Sequence, residues 1–231
     1  MVLVWVLLVG LSGIALLRIG NRLRSSNPNL RAFQWKYQSV TLVLGLTLFG
    51  LSGIAQGWIS FLGDLSAPVR DLDYLGVTSS DTWMSMGLTF AGVMSIVTLV
   101  VVWLQSGRSN KVSFRLVSSN LPIVVLFSLT NSLTEELIFR VTLVQGIGTS
   151  IPSWAIALLS AVLFGGLHYF GQPGRVPGVL MAGFMAWLFT FAIIQTGGIV
   201  LAWLIHFIQD VIILSIVFAA SQQTRGKTKA S

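Results

Sequence analysis

The chain has 231 residues, of which 54% are apolar and only 9% charged, and it carries a net charge of +7 without a single cysteine. That balance excludes an ordinary soluble domain, and the missing thiol excludes a disulfide framework, a thiolate metal site and a cysteine nucleophile. The basic residues flank apolar stretches and form no single patch, so they read as membrane topology signals, and no nucleic-acid partner is expected.

Met1 to Leu17 is apolar with no basic residue ahead of it, and Arg18, Arg22 and Arg24 follow it. This is the reverse of a cleavable signal peptide and predicts an uncleaved first span with its N-terminus outside. Asn21 to Tyr37, with Asn27-Pro28-Asn29 at its middle and Arg31 and Lys36 beyond, reads as a basic inner loop, and Ser39 to Leu62 as the second span. The hexapeptide Gly-Leu-Ser-Gly-Ile-Ala occurs at Gly10 and again at Gly50, without a third copy. Gly53 and Gly57 are spaced for close approach between helices. Gly63 to Asp81 holds Asp64, Asp71, Asp73 and Asp81 against one Arg70 and reads as a hydrophilic outer loop, its spacing unlike an EF-hand.

Trp83 to Leu104 is the third predicted span, and Arg108, Lys111 and Arg115 return the chain to the basic side. Leu116 to Ile147 stays apolar for longer than a straight span requires, so the fourth span must tilt, kink or extend. Ser153 to Phe170, Gly178 to Ile194 and Ile199 to Ala219 complete the series, and Gly178, Ala182 and Ala186 give the sixth span a small face for packing. Threaded from an outside N-terminus, seven spans place Arg18, Arg22, Arg24, Arg31, Lys36, Arg108, Lys111, Arg115, Arg175, Arg225, Lys227 and Lys229 inside and leave Arg70 outside. The four loop aspartates then fall outside, as the positive-inside rule allows. The expected fold is an all-α, polytopic membrane helix bundle of about seven transmembrane helices.

Three formal charges interrupt the fourth span in Thr134-Glu135-Glu136-Leu137-Ile138-Phe139-Arg140. Each unpaired charge near mid-membrane costs roughly 2.5 to 3.5 kcal/mol, so the motif points to chemistry. Glu136 and Arg140 are four residues apart and can pair along one helix face. Glu135 projects about 100° away, toward a different neighbour and without a helix-local cation, an environment that suits a general base. The two histidines of the chain also lie in apolar spans, His168 one turn after Phe164 and His206 one turn before Asp210, with which it can hydrogen-bond. Polar side chains in a membrane bundle often serve as interhelical glue. Here Glu135, Glu136, Arg140, His168, His206 and Asp210 are every ionisable group in the spans and are confined to spans four, five and seven, which favours catalysis.

The pattern Glu-Glu-x-x-x-Arg at 135 to 140, Phe-x-x-x-His at 164 to 168 and His-x-x-x-Asp at 206 to 210 resembles the CPBP family of intramembrane proteases. That family includes type II CAAX prenyl proteases and bacteriocin-processing, Abi-like proteins. The resemblance covers about residues 116 to 220 and implies that Glu135 activates a water, His168 and His206 stabilise the oxyanion, Asp210 holds the position usually Asn or Asp, and Arg140 positions the acidic pair. Val141 departs from the Gly that commonly follows the family Arg, and Asp210 from the Asn of the prenyl proteases. The implied organisation is residues 1–115 with helices one to three and basic inner loops, 116–220 as the catalytic core, and 221–231 as a basic cytoplasmic tail. An intramembrane endopeptidase in a bacterial cell membrane, acting on a membrane-associated protein or peptide, is the expectation. No cofactor is favoured. Zinc on His168 and His206 is the alternative, since two imidazoles, a carboxylate and a water compose catalytic zinc sites, although His-Glu-x-x-His is absent. The rival classes are a transporter or proton relay, against which the missing inverted repeat weighs, and a non-proteolytic scaffold or immunity protein. On straight helices Glu135 would lie about 25 Å from the inner face and His168 about 24 Å from the outer face, so something must bend or shift for them to meet.

Overall fold

The structure, a computed structural model, describes residues 1–27, 29–78, 80–108 and 112–228. Among these the chain forms seven main helices and no strand beyond two isolated bridging pairs. The helices are α1 (Val2–Ser26), α2 (Leu30–Gln56), α3 (Trp83–Gly107), α4 (Phe114–Ser150), α5 (Ser153–His168), α6 (Arg175–Thr196) and α7 (Val200–Thr228). Six of them are long and apolar enough to cross a membrane, while α5 has 16 residues. The protein is a polytopic all-α bundle. Pro28 and Lys111, expected from the sequence in inner loops, and Lys229, expected in the tail, lie outside the described residues.

The helices overrun several of the predicted spans, because leaving lipid ends a span without ending a helix, and Arg, Leu and Gln continue one readily. Thus α1 carries on past Leu17 to Ser26, and α7 past Ala219 to Thr228. Helix occupies most of the inner loop expected over Asn21 to Tyr37: α1 runs to Ser26 and α2 begins at Leu30, where the Asn29 side chain accepts the Arg31 N–H at 3.0 Å. At its other end α2 stops at Gln56, short of Leu62, because Gly57 takes φ 103° and turns the chain out.

Gly53 and Gly57 therefore do not bring helices together. The space beside Gly53 is filled by the Trp58 indole, and Gly57 is the helix-ending residue. The close approach lies between α5 and α6, where a Cβ on Gly165 would stand 2.9 Å from Gly183 Cα and 2.8 Å from the Val179 carbonyl oxygen. Gly178, Ala182 and Ala186 are all buried in α6.

Facing pairs give the relative directions. Asn120–Gln222, Asn131–Asp210 and Glu136–His206 set α4 against α7 antiparallel. Arg31–Asn120, Gln38–Phe127 and Ser52–Gln145 set α2 parallel to α4. Gly87 against Leu201 and Thr98 with Gln209 set α3 parallel to α7. Successive helices alternate in direction throughout, α5 included.

The segment between α2 and α3 is a folded cap. Its backbone is tied to the α6–α7 turn by Ser60 N–H to Gly197 O at 3.0 Å and Asp64 N–H to Thr196 O at 2.7 Å. Gln195 holds it further, accepting from the Arg70 N–H at 2.9 Å and the Trp83 indole at 3.1 Å and donating to the Arg70 carbonyl at 2.9 Å. Val69, Leu72 and Trp83 are buried beneath it. Its acidic side chains close local turns: Asp64 accepts from the Ser66 N–H and hydroxyl, and Asp81 from those of Thr78, and these bonds hold both carboxyls below the usual range.

The central helix is α4. It is α-helical over Phe114–Glu136, widens into a π-turn over Leu137–Val141, and resumes over Thr142–Ile147. Every residue of the π-turn is buried, with Leu137 and Val141 in one apolar cluster and Ile138 and Phe139 in another. The Thr142 N–H and hydroxyl both bond the Leu137 carbonyl, the hydroxyl at 2.7 Å, so the widened turn is satisfied from within.

Candidate active site

The length of α4 resolves the depth problem posed by the sequence. Glu135 stands about 22 Å before the end of α4 at Ser150, and His168 about 22 Å beyond the start of α5 at Ser153, at 1.5 Å per residue. Measured from their shared turn, the two are level. The excess of α4 extends past the site toward its Phe114 end, so the helix meets the requirement by extending, and its turn at Leu137–Val141 adds a local widening directly after the acidic pair.

His206 is the hub. Its Nδ1 lies 2.7 Å from Glu136 Oε1, and its Nε2 lies 3.4 Å from Glu135 Oε2 and 3.7 Å from Asp210 Oδ1. The last distance exceeds a hydrogen bond, so the expected His206–Asp210 bond is an ionic contact only. Asp210 instead accepts from the Asn131 side-chain amide at 3.0 Å. Three carboxylates thus surround one imidazole.

Glu136 and Arg140 are fully buried and pair as the spacing predicts, with Arg140 Nη1 3.3 Å from Glu136 Oε1. That contact lacks hydrogen-bond alignment, and among the described residues the guanidinium nitrogens have no aligned acceptor. The cation is held instead by an aromatic face: its central carbon lies 3.7 Å from the Phe164 ring centroid and 5.8 Å from that of Phe189. A desolvated cation over a ring is stabilised by about 2 kcal/mol. Arg140 touches one member of the acidic pair, Glu136; the ionic neighbour of Glu135 is His206.

Phe164 also orders the histidines. Its ring is 4.3 Å from that of His168 and meets His206 edge-on at 5.8 Å. Its carbonyl lies 3.0 Å from His168 Nδ1, and because a carbonyl only accepts, that nitrogen carries the proton. In neutral His168 the free Nε2 is then an acceptor.

Glu135, His168 and Asp210 line one cavity of about 460 Å³, with Asn131, Phe139 and Phe164 beside them. The cavity runs between α1, α2 and α7 toward the basic ends of α1 and α2, where Asn21 and Arg24 line it. Glu135 is about one fifth exposed into it, whereas Glu136 is closed off. Among the described residues no three His, Asp or Glu side chains form a metal-holding group.

All six ionisable residues singled out in the sequence are therefore in one cluster, and Asn131, Phe189 and Tyr37, the last also lining the cavity, were missed. Asn131 was detectable. It is a polar amide in an apolar span, one turn ahead of Glu135, and a search confined to ionisable groups passes over it.

Residues 117–212 match the family model described as type II CAAX prenyl endopeptidase Rce1-like, a stretch that holds all six residues and is consistent with the CPBP resemblance. No curated protein and no solved structure gives a match.

Proposed function

We propose that this member of the Rce1-like type II CAAX prenyl endopeptidase family, an integral multi-pass membrane protease, hydrolyses its substrate with Glu135 as general base. The observation that carries the reading is the convergence of three carboxylates on His206 at the head of a cavity that opens toward the basic end.

Peptide hydrolysis needs a polarised water and a site for the tetrahedral oxyanion. Glu135, the more accessible of the acidic pair, takes the proton from a water whose oxygen attacks the scissile carbonyl, and later returns it to the leaving amine. His168, its Nδ1–H donating to the Phe164 carbonyl, accepts from that water through Nε2 and orients it. This differs from the oxyanion role that the resemblance implies for His168. His206, balanced by Glu136 and Asp210, offers Nε2–H to the oxyanion. Glu136 and Arg140 position His206, and Asn131 holds Asp210. The imidazoles act as hydrogen-bonding groups in this reading, without zinc.

Glu135→Gln keeps shape and hydrogen bonding but cannot take the proton. The variant should accumulate normally in the membrane and lose cleavage by at least about a hundredfold, the scale of general-base removal. Membrane peptides from cells carrying the wild type and the variant would be compared. A site cut equally fast by both would sink the mechanism.

A further inference from the structure

We propose that the face of α1 and α2 turned away from the catalytic cavity binds one anionic glycerophospholipid, with an acyl chain in the groove between the two helices and the phosphate held by Arg22 and Lys36. The site is separate from the peptidase reading and does not depend on it.

A second cavity, of about 770 Å³, opens on the bundle surface along the seam between α1 and α2. Leu8, Ala15 and Ile19 of α1 and Val40 and Val43 of α2 wall it. Ser39 and Thr47 also line it, but their hydroxyls turn back onto the Trp35 and Val43 carbonyls, each at 2.8 Å, so the wall is mostly apolar. The catalytic cavity takes other faces of the same helices, at Gly13, Leu17 and Arg24 on α1 and at Tyr37 and Thr41 on α2. At 100° per residue Arg22 points about 160° away from Arg24, and it follows Ile19 by three residues, so its charge belongs to the groove side. Lys36 falls on the groove face of α2, four residues before Val40 and three before Ser39.

Length and charge decide the occupant. Leu8 to Ile19 covers about 17 Å at 1.5 Å per residue, close to the roughly 15 Å that one leaflet contributes to a hydrocarbon core about 30 Å thick. A helix from a second copy would need about twice that length of matching wall. Arg22 lies about 5 Å beyond Ile19 and Lys36 about 5 Å beyond Ser39 at the same end, within a headgroup layer about 5–7 Å deep. Both side chains are exposed. Lys36 Nζ donates to Asn27 Oδ1 at 2.9 Å, which carries it across the end of the groove toward α1 and leaves donors to spare. No acid is close enough to neutralise either cation: Asp64, Asp71, Asp73 and Asp81 belong to the cap at the opposite end, and Glu135, Glu136 and Asp210 cluster around His206. A phosphate with no amine of its own satisfies both cations, whereas a zwitterionic headgroup brings a competing charge. Because α1 and α2 wall the catalytic cavity on their other faces, a lipid in the groove also braces that cavity.

The test uses the purified full chain in detergent, titrated with phosphatidylglycerol or with phosphatidylcholine of the same acyl chains, and reads bound lipid per protein by native mass spectrometry. The anionic lipid should bind about thirtyfold more tightly, the scale of two basic side chains near a headgroup, and high salt should reduce that preference. Arg22→Gln and Lys36→Gln should each cut the preference about fivefold and together abolish it. Arg115→Gln, which removes an exposed cation of the same end on α4, should leave it intact. Ala15→Trp fills the groove from an exposed position and should weaken both lipids alike. Inorganic phosphate, at matched ionic strength, should not displace the bound lipid. Equal binding of the two lipids overturns the proposal, as does a preference that survives the Arg22→Gln, Lys36→Gln double variant. An equal loss with Arg115→Gln overturns it in favour of a diffuse basic surface. Displacement by phosphate overturns it in favour of a free-anion site. Unchanged lipid binding in Ala15→Trp places the acyl chain elsewhere and overturns it too.

Discussion

Glu136→Gln separates the buried acid from its exposed neighbour. Glu136 Oε1 serves two partners, His206 Nδ1 at 2.7 Å and Arg140 Nη1 at 3.3 Å, and all three side chains are buried. A glutamine oxygen at that position still accepts from His206, so that contact loses only its charge assistance, about 1 kcal/mol. Arg140 fares worse, because its carboxylate is gone and nothing else of opposite charge touches it among the described residues. Removing one member of a buried pair costs about 3–5 kcal/mol. The Phe164 face 3.7 Å away still holds the cation, so the lower end of that range is expected. For a chain of this size 3 kcal/mol corresponds to a Tm lower by roughly 6–12 °C. The assay is thermal unfolding of detergent-purified protein, with Glu135→Gln as the control, since a carboxylate facing the cavity should shift Tm by no more than about 3 °C. Glu136→Gln combined with Arg140→Leu removes the stranded charge and should recover part of the loss. The reasoning fails if the double variant is no more stable than Glu136→Gln alone, or if Glu135→Gln and Glu136→Gln melt together.

If the imidazoles act without zinc, purified protein should keep its activity through exhaustive chelation and carry no stoichiometric metal; activity lost to chelator and restored by zinc would instead make His168 and His206 ligands. Gly165→Leu should lower Tm, by at least the 1–3 kcal/mol typical of overpacking, because its Cβ would meet the backbone of Val179 and Gly183, and cleavage should fall with it because His168 rides on the same helix. An unchanged melting curve would show that α5 and α6 do not pack as described.

The cluster was legible because a membrane span makes charge conspicuous: in a chain with seven acids and two histidines, five of those nine groups stand in apolar stretches, and all five meet. Helical spacing was enough to pair Glu136 with Arg140. Three things were not legible, each because the deciding contact is distant in sequence or unrelated to polarity. The Arg140 guanidinium rests on Phe164, an aromatic residue that an apolar span would contain for packing alone. Gly53 and Gly57 had the spacing of a packing motif, yet the Trp58 ring and a positive φ at Gly57 assign them to the end of α2. The depth of Glu135 looked wrong because it was measured from the inner end of its span, whose true helix runs on to Ser150. Counted from the α4–α5 turn, Glu135 and His168 are equally far along antiparallel helices, and α7 needs only to place His206 beside them. A hairpin with equal arms is thus what lets residues about thirty positions apart line one cavity, and insertions or deletions between Glu135 and His168 should damage cleavage unless both arms change together.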